Sequence, residues 1–460
     1  MNKVITRRDF LLASASVAGL AVLNRSGLAQ VGPPGLSRDA AASAFEKAIG
    51  RQKVADLEAR FRAVNDDICA RGLRAIPGIS GTFLTGYPYN EFYDWDLYFE
   101  NLYLSYFGVW PLCFTNLKAF LDRQAPDGYV NRSLIKQRDR QHFKPFLAQL
   151  TVLGCKQDGN DYAWLRGNYY VRLKKYLDKW FSYDGDGNGL PVWNSADAAG
   201  TDNQWSRAGG LASFSIEGSD LASYLVRELR AMSVIARRLG ESGDGRAFDD
   251  HADRLCALIN QFFWDEEDGM YYDRDERNGR LVKVKSATCF MPLFAGAATR
   301  ERAKRIVDEH LLNEKEFWLA YPVASYAKTE PDYYQGSHHE CNWRGPTWVP
   351  TNYMIFQGLR RYGYDDVARD LAGRLLDMAL VKNPVLREYY NAETGEGLGQ
   401  TRFWGFTALY YGMLLESHAG YDASSLDSPS DAIVTGALGV VFPETIPADG
   451  GVAPAAPRLT

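Results

Sequence analysis

Apolar residues recur three or four positions apart over much of the chain. Between Ala40 and Ala70, the positions Phe45, Ile49, Val54, Leu57, Phe61 and Val64 fall on one face of a 3.6-residue period, which predicts an amphipathic helix. Ser219 caps a second helix, predicted to run to Leu239 with Leu221, Leu225, Leu229, Met232 and Ile235 on its apolar face. Phe248–Trp264, Arg300–Leu312, Tyr364–Leu380 and Phe403–Ser417 repeat the pattern, separated by segments rich in Gly, Asp, Tyr and Trp. No regular strand series alternates with these helices, so a doubly wound sheet is disfavoured. Several amphipathic helices must bury their apolar stripes against one another, and a closed ring of helix pairs does this economically. No fixed repeat period marks an open solenoid. From about Tyr421, Ser, Asp, Gly, Ala and Pro dominate around a short apolar island, Ile433–Phe442, which predicts a poorly ordered extension over 421–460.

The 460 residues carry 46% hydrophobic and 24% charged side chains, ordinary for a globular protein. A formal net charge of -5 offers no positive field for a polyanion, so nucleic acid is not an expected partner. Eleven Trp and 27 Tyr suit a pocket with flat apolar walls and polar tips. The first 30 residues contain Thr6-Arg7-Arg8-Asp9-Phe10-Leu11-Leu12, then an apolar stretch to Leu23 and the small-residue site Gly27-Leu28-Ala29. This resembles a twin-arginine export signal, which implies transient contact with the export machinery, cleavage and periplasmic release. The Phe10–Leu23 run is shorter than the roughly 20 residues of a membrane span, so no stable anchor is expected. The six cysteines form no short C-x2-C pair, which argues against a thiolate metal site and favours free thiols.

Three aromatic and acidic clusters concentrate the candidate chemistry, and the sequence pattern puts them in loops. They are Gly86-Tyr87-Pro88-Tyr89-Asn90-Glu91-Phe92-Tyr93-Asp94-Trp95-Asp96-Leu97-Tyr98-Phe99, Asn342-Trp343-Arg344-Gly345-Pro346-Thr347-Trp348-Val349-Pro350-Thr351-Asn352-Tyr353 and Arg387-Glu388-Tyr389-Tyr390-Asn391-Ala392-Glu393-Thr394-Gly395-Glu396-Gly397. Glu91-Phe92-Tyr93-Asp94-Trp95-Asp96 is similar to the trehalase motif E-x-Y-x-W-D, and Trp343-Arg344-Gly345-Pro346-Thr347-Trp348 to W-R-G-P-x-W of glucosidase relatives. From about Gly78 to Leu415 the chain resembles the helical-barrel glycoside hydrolases that include trehalases, processing α-glucosidase I and bacterial mannosylglycerate or glucosylglycerate hydrolases. The resemblance implies an all-α fold, an (α/α)6 toroid over residues 31–420, with loops building a deep pocket for a terminal sugar.

It also implies an inverting α-glycosidase without cofactor, acting on a small-molecule or oligosaccharide α-glycoside with two carboxylates. Glu388 matches the family's general base in an E-x-Y-N-like segment. The acid segment E-S-G-x-D-N-S is altered here to Trp193-Asn194-Ser195-Ala196-Asp197-Ala198-Ala199-Gly200-Thr201-Asp202-Asn203-Gln204, where Gly200-Thr201-Asp202-Asn203 keeps G-x-D-N and selects Asp202, with Asp197 in reserve. Burial beside aromatics is expected to raise the acid's pKa while the base stays ionised. Asp96 is expected to accept hydrogen bonds from sugar hydroxyls, Trp95, Trp343, Trp348 and Tyr89 to form walls, and Arg344 to orient a hydroxyl or carboxylate. Gln141-His142-Phe143-Lys144-Pro145-Phe146 stands where relatives show Q-P-P, with no ligand assigned. Asp184-Gly185-Asp186-Gly187-Asn188-Gly189-Leu190 resembles the front of a calcium loop, but Ser195 replaces the twelfth-position Glu, so a plain turn is expected and no metal. His338-His339-Glu340 lacks a spaced third ligand. Two other classes fit such a scaffold: a sugar isomerase or epimerase using histidine, and a non-catalytic carbohydrate-binding protein.

Overall fold

The computed structural model describes residues 4–6, 38–76, 78–86, 91–107, 109, 111–136, 141–194, 196–207, 215–337, 341–419, 422–426 and 445–447. The twin arginines, Tyr89, the Asp197 side chain, His338-His339-Glu340 and the apolar island 433–442 lie outside the described residues. The helices are α1 (Arg38–Ile49), α2 (Arg51–Asp67), α3 (Asp94–Ser105), α4 (Pro111–Asp122), α5 (Leu147–Gln157), α6 (Asn168–Phe181) and α7 (Ser219–Leu239). They continue with α8 (Ser242–Phe262), α9 (Met291–Ala295), α10 (Arg300–Arg305), α11 (Val349–Arg361), α12 (Asp365–Asp377) and α13 (Tyr410–Ala419).

Six of these close a ring. Helix α3 packs on α5, α5 on α7, α7 on α9, α9 on α11, α11 on α13, and α13 returns to α3. The intervening helices lie outside this ring, which is the (α/α)6 toroid implied by the sequence motifs. Outer helices show one buried stripe, such as Ala368, Leu371, Ala372, Leu375 and Leu376 of α12. Two of the ring helices are covered on every side: each residue of α3 from Asp94 to Ser105 is buried, as is α11 from Val349 to Leu359. A helix without a solvent face has no reason to alternate polar and apolar residues. The 3.6-residue period therefore finds the outer helices α8 and α12 and the ring helix α7, whose last turn exposes Arg237 and Arg238, but not α3, α5 or α11, and Asp94–Phe99 and Val349–Tyr353 are first turns of ring helices rather than loops. Within 40–70 the predicted single helix breaks at Gly50, whose φ of 85° suits glycine.

Short hairpins decorate the ring ends. β1 (Leu73–Ile76) pairs with β2 (Ile79–Leu84), β3 (Ile216–Glu217) and β5 (Arg280–Val282) flank β4 (Asp273–Asp275), and β6 (Arg387–Tyr390) pairs antiparallel with β7 (Gly397–Thr401). The β6–β7 register slips between Leu398 and Thr401, a bulge that matters below.

The ring helices start at one end of the barrel and finish at the other. Their finishing ends are tied by Glu416 of α13, fully buried, which accepts hydrogen bonds from Tyr106 Oη, Tyr353 Oη at 2.9 Å, Gln357 Nε2 and Arg360 Nη1 at 2.9 Å. Burial first, and the Asp422 charge second, push its carboxyl up to about 8. Asp422–Leu426, assigned from composition to the extension, lie across this same end: Ser424 O accepts from Arg227 Nη2 at 2.9 Å and Ser425 O from Lys156 Nζ at 2.7 Å. Glu416→Ala strands four donors, and urea unfolding should show a loss of about 3–5 kcal/mol. Glu416→Gln, neutral like the protonated acid, should cost only about 1 kcal/mol near pH 7.

Candidate active site

At the starting ends of the ring helices, four aromatic rings build a continuous wall. Trp343 lies face to face with Trp348 at 3.7 Å and 7°, Trp348 stacks in turn on Tyr389 at 4.7 Å, and Trp95 of α3 approaches Trp343 at 6.1 Å. Trp348 Nε1 donates to Asn342 O at 2.7 Å. With one face on Trp343 and the other on Tyr389, Trp348 has no face left for a sugar. It braces Trp343 instead of lining the pocket.

The wall anchors both candidate carboxylates. Asn203 Oδ1 accepts the Trp343 N–H at 2.8 Å, Asn203 Nδ2 donates to Asn342 Oδ1 at 3.3 Å, and Gln204 Nε2 donates to Trp343 O at 2.6 Å. Asp202 is thereby held, half-buried, against the W-R-G-P loop. Gly200 turns the chain with φ 74°, and a Cβ there would lie 2.7 Å from Lys144 Cε and 3.1 Å from Trp95 Cζ2. That close approach is the physical need behind the glycine of G-x-D-N.

Glu388 comes from β6, which is joined to the same loop by Thr347 N–H to Tyr390 O at 2.7 Å and Tyr390 N–H to Thr347 O at 3.1 Å. Its Oε2 accepts the Gln400 N–H at 3.0 Å, and its Oε1 accepts the Cys341 thiol at 3.3 Å. The bulge carries Gly399 at φ 65°, where a Cβ would fall 2.6 Å from Glu388 Oε2. Burial raises the Glu388 carboxyl above the ordinary range, the Gln400 and Cys341 donors pull it back, and the Asp202 charge raises it again. Asp202 is likewise felt at Arg132 and Cys341, so the two carboxylates share one electrostatic field. The buried carboxyl with raised affinity for its proton is thus the expected base, while the expected acid is the more open of the two.

Beside them a buried charge cluster surrounds the first turn of α3. Asp94, fully buried, accepts Lys144 N–H at 2.9 Å and Lys144 Nζ at 3.1 Å, with Arg132 Nε at 3.9 Å. Lys144 Nζ also sits 5.0 Å over the Trp95 ring. Asp96 is pushed up to about 7, chiefly by burial and then by Asp94, against Lys144 and Arg132. Its proton is thereby held more tightly than that of an ordinary carboxylate. Asp94, Arg132, Lys144 and Cys341 were not among the candidates from the sequence. The signal for Lys144 and Arg132 was present, since carboxylates buried at 94 and 96 demand cations.

Other candidates stand apart. Arg344 packs over the Tyr334 ring at 5.8 Å, its Nε has no hydrogen-bond partner among the described residues, and its described contacts do not reach the carboxylates. Asp184, Asp186 and Glu276 offer carboxylate oxygens within 4.8 Å of one another. These oxygens accept backbone N–H groups: Gly187 and Gly189 on Asp184, Asn188 on Asp186, and Gly185 and Asp186 on Glu276. The loop is self-supporting, as a turn requires.

The folded protein retains an Asp96 proton that the unfolded chain releases near 4, so this contribution is complete at low pH and fades as pH rises from about 4 through about 7. Asp96→Asn should therefore gain stability over the parent as pH rises, by on the order of 2–4 kcal/mol at pH 8, with little gain at pH 4. Denaturant titrations at the two pH values test this.

A family model for the mannosylglycerate hydrolase MGH1-like glycoside hydrolase domain matches residues 89–407. The mannosylglycerate hydrolase of Rubrobacter radiotolerans is 33% identical over 198 residues, 42% of each chain. The chain thus aligns with less than half the length of this relative. Two solved structures share the fold. The GH63 mannosylglycerate hydrolase from Thermus thermophilus, in complex with glucose, superposes with a TM-score of 0.64 at 22% identity, covering 76% of this chain and 99% of that one. Neutral trehalase Nth1 from Saccharomyces cerevisiae gives 0.56 at 18% identity, covering 80% and 82%. With the family model spanning well over half its length, this chain belongs to the family of mannosylglycerate hydrolase MGH1-like glycoside hydrolase domains.

Proposed function

We propose that this protein is a glycoside hydrolase that removes a terminal α-linked glucose or mannose with inversion, Asp202 acting as general acid and Glu388 as general base. The observation that carries the reading is the convergence of these two carboxylates, from separate segments, on one aromatic wall within a shared electrostatic field. Inversion needs a base that takes a proton from water on one face of the sugar and an acid that protonates the leaving oxygen on the other. Glu388, gripped at both oxygens, suits a base that must not rotate. Asp202, half-buried beside Trp343, suits an acid that must reach the leaving group near the mouth. Asp96 and Trp95 then contact the sugar, Trp343 supplies the ring platform, Tyr89 lines the same wall, and Arg344 orients a hydroxyl or carboxylate. The names of the similar proteins support a mannoside or glucoside, with glycerate, glucose or a longer glycan as leaving group. Among the described residues no helix is long and apolar enough to cross a membrane. We also propose that the Arg7-Arg8 segment directs the enzyme to the periplasm.

Purified protein should release sugar from a member of a panel of α-glucosides and α-mannosides, and NMR of the fresh product should show the β-anomer. The α-anomer as first product would exclude inversion. Glu388→Gln and Asp202→Asn should each lower kcat by about 10³-fold or more with the fold intact. Because burial raises Glu388, activity should fall on acidification at a pH above the ordinary carboxylate range, where the base takes up its proton. Replacing Arg7 and Arg8 by Lys should retain the protein in the cytoplasm on fractionation.

A further inference from the structure

We propose that Cys341 is a positioning residue for the general base, its thiol donating to Glu388 and fixing the carboxylate for attack by water. The proposal rests on the reading of Glu388 as the base. Two donors grip this carboxylate from different segments: the Gln400 N–H on the β7 bulge at Oε2, and the Cys341 S–H on the W-R-G-P loop at Oε1. With Gln400 alone the carboxylate could pivot about Oε2. The thiol removes that freedom and leaves a further lone pair on Oε1 for the water proton.

Two further features mark Cys341. Its φ of 65° lies in the left-handed region that favours glycine, so the fold retains a side chain where none would be easier. It also stands in the field of Glu388, Asp202 and Asp96. Burial, followed by these negative charges, pushes the thiol well above its ordinary value, which keeps it a donor and not a thiolate. Among the described residues, the charged groups around Glu388 are Asp202 from the acid loop and Arg387 on its own strand, with Asp96 and Arg132 beyond them on the α3 side. A thiol is a weak donor, so it orients the base while lowering its basicity less than a hydroxyl would.

The experiment measures kcat and KM against pH on the best substrate of the α-glycoside panel, for the parent, Cys341→Ala, Cys341→Ser, Cys341→Gly and Glu388→Gln. Cys341→Ala should lower kcat about tenfold with KM within about twofold, and should move the acid limb of kcat/KM upward, because the charged base has lost a donor. Cys341→Ser should restore kcat to within about threefold and return the limb to the parent position or below. Cys341→Gly suits the backbone, so it reports the same upward shift should the alanine variant fold poorly. An unshifted acid limb in the alanine and glycine variants, or serine and alanine variants that behave alike, overturns the proposal. Full turnover by Glu388→Gln overturns the base assignment itself, and that result is independent of the cysteine series.

Discussion

The candidate site hangs on the face-to-face contact of Trp343 and Trp348. A buried aromatic pair of this kind contributes about 0.5–1.5 kcal/mol beyond the area it covers, but its larger effect is geometric. Trp348 caps the start of α11 and stacks on Tyr389, so it belongs to the rigid ring and to the strand bearing Glu388. Trp343 is thereby immobilised, and its backbone N–H and C=O become fixed anchors for the consecutive residues Asn203 and Gln204. Asp202 directly precedes those two anchored residues. One stack therefore sets the relation between two carboxylates 186 residues apart in sequence.

Around that stack the protein manages an unusual load of buried acid. Asp94, Asp96 and Glu388 lie near the starting ends of ring helices, and Glu416 near the finishing ends, all with little or no exposure. Each is stabilised differently. Asp94 has Lys144 and Arg132, Glu388 has a backbone N–H and a thiol, and Glu416 has two phenols, an amide and a guanidinium. Asp96 has distant cations and an adjacent like charge, and its carboxyl is pushed up to about 7. Carboxyl groups alike in chemistry thus sit in different surroundings, the condition under which acid and base roles can separate.

Much of the outer architecture is legible in the residues themselves. The stripes of α8 and α12 follow from the need of a surface helix to cover one face, and the aromatic and acidic motifs mark the ends where loops and helix starts meet. Glycines at 200 and 399 are readable as backbone requirements once the side chains they touch are known. The extension does not begin where composition changes, since Ala423 and Ser424 are buried against the ring.

The sequence alone determined the family motifs and the helical character and pointed to Asp202 and Glu388 as candidates, because each is a local matter of residue type and spacing. The ring helices α3, α5 and α11 escaped it, since burial on nearly all sides erases the periodic signal that reveals a helix. The tertiary structure alone decided that Trp348 supports and does not line, that Lys144 and Arg132 compensate Asp94, and that a cysteine touches Glu388. Those facts depend on which distant segments meet, and proximity across the barrel leaves no trace in the spacing of residues along the chain.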